Sequence, residues 1–178
     1  IPRQAKIEVF ADAAQVRLEL NGRAIAKKAV RKYRAVFSAP YVPGELTAVA
    51  LDRAGREISR FSLRSGTAGK KLTVRQSKPV LRADGQDLCY LEIEFTDDSG
   101  NLLPAVEQEV DVQVSGAAAL AGFGSALCKT DEVFNKTCHN SYRGRCLAVL
   151  RAGNTPGTGT VGIYAQGCKS VMCKYEVK

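Results

Sequence analysis

Short runs of strictly alternating apolar and polar residues, each closed by a turn signal, constrain this chain more than any other feature. Val16, Leu18 and Leu20 alternate with Arg17 and Glu19, and Asn21-Gly22 follows at once. A side-chain period of two marks a strand with one buried face. Asn-Gly marks a two-residue hairpin, because both central positions of a type I′ turn need positive φ. The return strand runs from about Ala24 to Val30. Ile7–Phe10, Tyr33–Phe37, Leu46–Leu51 and Ile58–Leu63 read as further strands, with Pro40 and Pro43-Gly44 as stops. No stretch keeps a helical period. About six short strands in the first 65 or so residues give the pattern of a small β-sandwich.

Small and charged residues from Ser65 to Lys71 interrupt this pattern, and the expected domains are 1–68 and 69–178. In the second, Cys89, Leu91, Ile93 and Phe95 alternate with Tyr90, Glu92 and Glu94. Val110–Val114, Cys146–Leu150, Thr160–Ala165 and Val171–Val177 continue the series. An Ala/Gly-rich run reaches Gly124, and Ser125 to Gly144 reads as one long loop. The fold class expected is all-β, two tandem immunoglobulin-like β-sandwich domains. Both halves carry one turn device, Asp52-Arg53-Ala54-Gly55 and Asp97-Asp98-Ser99-Gly100, with Asp closing a strand and Gly three residues on.

A hydrophobic share of 45% is ordinary for a folded domain, and no run approaches the eighteen or so apolar residues of a membrane helix. Ile1-Pro2-Arg3-Gln4 resembles neither an initiator methionine nor a signal peptide, which suggests a cut end of something larger. Residues 1–69 hold 13 Lys and Arg against 6 Asp and Glu, whereas 70–178 are nearly balanced at 13 against 12. Lys27, Lys28, Arg31, Lys32 and Arg34 could attract an acidic surface. Without a nucleic-acid-binding signature beside them, they read as charges guarding a strand edge. No nucleic acid or membrane partner is expected.

Catalytic candidates are few. The single histidine, His139, reads as a mobile loop residue between Cys138 and Asn140. Glu92 and Glu94 lie on one strand face, side by side and not opposed as a glycosidase pair must be. Gly122-Phe123-Gly124 lacks the helix and lysine of a phosphate loop. Neither a metal site nor a cofactor is expected, since the six cysteines contain no Cys-x-x-Cys pair and Cys138-His139 are adjacent.

Several segments carry a family resemblance. Leu18–Arg23, Tyr33–Phe37 and Tyr41–Ala50 are similar to the small sandwich that follows the catalytic barrel in bacterial β-galactosidases of glycoside hydrolase family two. Leu81–Leu88, with its Ala83-Asp84-Gly85-x-Asp87 core, Asp97–Pro104, Val114–Gly116 and Arg143–Ala148 resemble, in order, the C-terminal domain of those enzymes. Cys128-Lys129-Thr130 departs from the Gly-Asp-Pro-type segment of relatives. The resemblance implies an accessory region without catalytic residues of its own, because the family's glutamates lie on the barrel. Its partners would be the catalytic domains of the same parent chain or a homo-oligomer. The alternative is a carbohydrate-binding module. With no Trp, its stacking platform would be Tyr142, Tyr90 or Tyr41.

An even cysteine count is compatible with a secreted or periplasmic setting. Cys128 and Cys138 would staple the long loop, worth on the order of 3 kcal/mol in the chain-entropy model. Immunoglobulin-like sandwiches often bridge their second and sixth strands, which makes Cys89 and Cys146 the next pair; two buried free thiols are the alternative.

Overall fold

Alternation becomes strand pairing in both halves of the chain. The computed structural model describes residues 4–178, so the reading of Ile1-Pro2-Arg3 as part of a cut end lies outside the described residues. The chain divides into two units, Ile1–Ser65 and Gly66–Lys178. The division precedes the expected one at Ala68/Gly69 because Thr67 and Ala68 bond to the second unit. Thr67 donates to Asp97 from its backbone N–H (2.7 Å) and its hydroxyl (2.9 Å), and the Asp98 N–H donates to the Ala68 carbonyl (3.3 Å).

The first unit contains β1 (Gln4–Phe10), β2 (Gln15–Leu20), β3 (Arg23–Ala29), β4 (Arg34–Pro40), β5 (Glu45–Leu51) and β6 (Glu57–Arg64). Asn21 and Gly22 take positive φ of 50° and 79° and join β2 to β3. Tyr33 does not begin a strand as expected. With Lys32 it forms a second two-residue turn at positive φ, closed by Arg31 and Arg34. One sheet has the order β3-β2-β5-β6, and the other is only β1-β4. Val16 and Leu18 pack on Ala35 and Phe37, with Ile7, Val9, Leu46 and Ala48 around them. The basic strand β3 is an edge, where Lys28 donates to the Val36 carbonyl (2.7 Å); on the other sheet Arg34 of β4 pairs with Glu8 of β1 (2.7 Å).

Two strands cannot cover four. Phe61 and Leu63 pair with Ala48 and Leu46, so they share the inward side of the larger sheet. Nevertheless they are 70% and 60% exposed, and every residue of β6 is exposed.

The second unit holds β7 (Lys71–Gln76), β8 (Val80–Leu81), β9 (Leu88–Thr96), β10 (Glu109–Gly116), β11 (Ala118–Ser125), β12 (Cys138–Asn140), β13 (Arg145–Ala152), β14 (Gly157–Tyr164) and β15 (Val171–Val177). A five-stranded sheet, β12-β10-β14-β15-β8, packs against a four-stranded one, β11-β13-β9-β7. The shared core includes Leu91, Ile93, Phe95, Val110, Val112, Phe123, Leu150, Val161, Ile163 and Tyr175. The Ala/Gly-rich run is itself the edge strand β11. Its bare Gly124 lets Phe134 lie against it, since a Cβ there would come within 2.5 Å of that ring, and the Phe123 N–H donates to the Phe134 carbonyl (2.8 Å). The long loop is therefore shorter than expected, ending in β12 and a tight turn at Arg143-Gly144.

Both units repeat one turn, bond for bond. Asp52 Oδ1 accepts from Ala54 and Arg56 N–H, as Asp97 Oδ1 accepts from Ser99 and Asn101 N–H. Each Asp carbonyl accepts from the Gly three residues on. The Asp84–Asp87 segment works similarly. Asp84 accepts from Gln86 and Asp87 N–H, while Asp87 accepts from the Arg82 N–H and the Lys78 ammonium (2.6 Å).

Candidate functional site

Glu92 and Glu94 point outward from β9, the same way. Arg75 ion-pairs with Glu92, and Arg145 Nε lies 2.9 Å from Glu94. Carboxylates held side by side by guanidinium groups cannot flank a glycosidic bond. His139 is not a mobile loop residue. It sits in β12 opposite Val110, buried and edge-on to Phe123 at 5.3 Å, with Nδ1 3.5 Å from Glu132. Neighbours in a strand face opposite ways, so Cys138, paired with Asp111, points to the other side of the sheet. The two cannot act as a nucleophile–base couple.

All six cysteines are free thiols. The Cys89–Cys146 bridge fails on topology. β9 and β13 are neighbours in one sheet, where Cys89 pairs with Leu150 and Cys146 with Ile93. The two thiols are thus offset by four residues along that sheet, about 13 Å by strand rise, well beyond the ~7 Å limit between bridged Cα atoms. Burial pushes the Cys146 thiol up to about 12, an inert group. Cys173, on the facing sheet, is also raised by burial and by the nearby Cys89. Cys128 is exposed in the loop. Cys138 is raised by burial and by its hydrogen bond to Glu109.

The three expected platform tyrosines are split between the two units, and the two in the second unit do not meet. Tyr41 belongs to the first unit, where its hydroxyl lies 3.2 Å from Ser65 Oγ. Tyr90 stands on the outer face of β9, opposite Val149. Tyr142 closes the β12–β13 turn with the Arg143 guanidinium 5.5 Å over its ring. That turn abuts the Glu94 end of the sheet, four residues or about 13 Å from Tyr90. A fourth ring escaped the sequence reading. Tyr164 ends β14 beside a cavity of about 290 Å³ lined by Gln108, Glu109, Asp111 and Gln166, among others. Its signal is Gly162, two residues earlier on the same face, where a bare backbone leaves room for a ring.

Fold and surface define an all-β protein of two tandem sandwiches with ion-paired carboxylates and tyrosines on open faces. Residues 72–174 match the model of glycoside hydrolase family 2 C-terminal domain 5, and the chain belongs to that family. Residues 3–59 match a domain family of unknown function, DUF4982. Over 173 residues the chain is 25% identical to a β-galactosidase, BoGH2A, of Bacteroides ovatus, covering 95% of this chain and 20% of that protein. A β-galactosidase of Rhizobium meliloti is 24% identical over 117 residues, 66% of this chain and 16% of its own. A glycosyl hydrolase family 2 member from Bacteroides cellulosilyticus superposes with a TM-score of 0.91 at 27% identity, over 99% of this chain and 23% of that one. The chain thus spans about a fifth of the length of the relatives it matches.

Proposed function

We propose that this chain is a non-catalytic accessory region of a family 2 glycoside hydrolase acting on terminal β-galactosides, packed on the catalytic domain or at an oligomer interface. One observation carries the reading: nearly the whole chain aligns with only a fifth of a β-galactosidase. The engagement of Glu92 and Glu94 by arginines supports it, and so does the uncovered flank of β6, which offers Phe61 and Leu63 to a neighbouring domain. The test is an assay of the 178-residue chain on nitrophenyl β-galactoside, with the reading frame around Ile1 determined in parallel. The expected outcome is no turnover above buffer and a catalytic domain encoded in the same frame. Turnover lost in E92Q or E94Q, or a frame without such a domain, overturns the reading.

A further inference from the structure

The outer face of the five-stranded sheet carries a feature that an accessory packing role does not require. On β14 the side chains of Val161 and Ile163 enter the core, so Gly162 and Tyr164 share the outward side. A Cβ on Gly162 would come within 2.5–2.8 Å of the hydroxyl and ring carbons of Tyr164. The hydroxyl end of the ring therefore packs over the bare Gly162 backbone, and its hydroxyl reaches Met172 Sδ on β15 (3.9 Å). The residue stays 38% exposed. This is a flat aromatic surface held in place by a glycine cradle.

Polar groups surround it on the same face. Asp111 is the cross-strand partner of Tyr164, and Gln113, the partner of Gly162, donates to Asp111 (2.7 Å). Gln108 donates to the Gln166 carbonyl (2.6 Å), and Lys70 holds Gln108 in turn. Glu109 lies one outward position before Asp111. The cavity between them, about 290 Å³, is just under the ~300–1,000 Å³ typical of ligand sites.

We propose that Tyr164, cradled by Gly162, is the stacking platform of a binding site for a neutral oligosaccharide. A sugar ring has an apolar C–H face, which an immobilised aromatic face matches, and a rim of hydroxyls. Asp111 and Glu109 accept hydrogen bonds from such hydroxyls, and charged acceptors make strong ones. The same two carboxylates disfavour uronic acids and sulfated sugars, against the nearby cation of Lys70 on Gln108. A chain extending beyond the cavity would cross β15 over Met172, which is exposed.

The experiment is a titration of the 178-residue chain with β-1,4-galactotriose and cellotriose, followed by backbone amide shifts, with trigalacturonate as the charged control. At least one neutral trisaccharide shifts the amides of residues 108–113 and 162–172, and trigalacturonate does not. Y164A weakens binding about tenfold or more, equivalent to loss of ~1.4 kcal/mol. Y164F stays within about threefold, because the hydroxyl reaches only Met172 and the ring face is kept. G162A, which must lift the ring, and D111N each weaken binding too, and they keep the test open if Y164A fails to fold. No shift from either neutral sugar at about 20 mM, well above millimolar dissociation constants, overturns the proposal, as does binding that Y164A and G162A leave unchanged or preference for trigalacturonate. A flat titration removes this site and leaves the accessory reading standing.

Discussion

Five donors converge on the Asp97 carboxylate: the Thr67 N–H and hydroxyl, the Ser99 and Asn101 N–H groups and the Asn101 amide. Burial opposes ionisation of this group, but the hydrogen bonds outweigh it and hold the carboxyl well below its ordinary value near 3.8. A depressed folded value stabilises the protein above the unfolded value, and that contribution is lost as pH falls through the folded one. D97N should therefore melt lower than wild type by an amount constant from about pH 7 to 5, with the gap closing below about pH 4. Melting curves across that range check it; a gap that widens in acid contradicts the assignment. Thiol reactivity is a second residue-scale expectation. Exposed Cys128 should alkylate first in the folded, unreduced protein, and buried Cys89 and Cys146 only on unfolding. A Cys128–Cys138 peptide in a non-reducing digest would instead establish the loop staple.

The strands β4 and β6 show how the same pattern acquires different weight. Both alternate, yet Phe37 of β4 is buried between sheets while Phe61 of β6 is 70% exposed. F37A should cost about 3–5 kcal/mol in urea denaturation, the range for a fully buried Phe. F61S in the same chain should stay within about 0.5 kcal/mol, as a surface change does. A large loss from F61S would mean that β6 is covered within this chain.

Across the molecule, each unit has its own core, and the two differ greatly in extent. Among the described residues, four buried side chains centre the first core, against seventeen in the second. Small domains bury a smaller fraction of their surface and are correspondingly marginal. Calorimetry should resolve two transitions, with the lower one belonging to residues 1–65 and moved by F37A alone. A single transition shifted as a whole by F37A would show that the units unfold together.

Side-chain periodicity and turn chemistry are local, and the sequence by itself determined whatever depends on them. The alternation at Val16–Leu20 and Cys89–Phe95, the Asn21-Gly22 hairpin and the paired Asp52 and Asp97 turns specify an all-β chain of two sandwiches before any partner is known. What each strand lies beside is not local. Cys89 and Cys146 both point inward by alternation, but only sheet order places them as neighbours in one sheet, four residues out of register and too far apart to bridge. Ala118–Ser125 has no β-branched residue and one aromatic, Phe123, too little to signal a strand. It becomes one because Phe123 reaches the core and the bare glycines admit Phe134. In the sequence only Gly162, two residues earlier, sets Tyr164 apart from Tyr41, Tyr90 or Tyr142. Only the folded sheet, which sets Gly162 beneath its ring and Asp111 beside it, makes it a surface that a ligand could use.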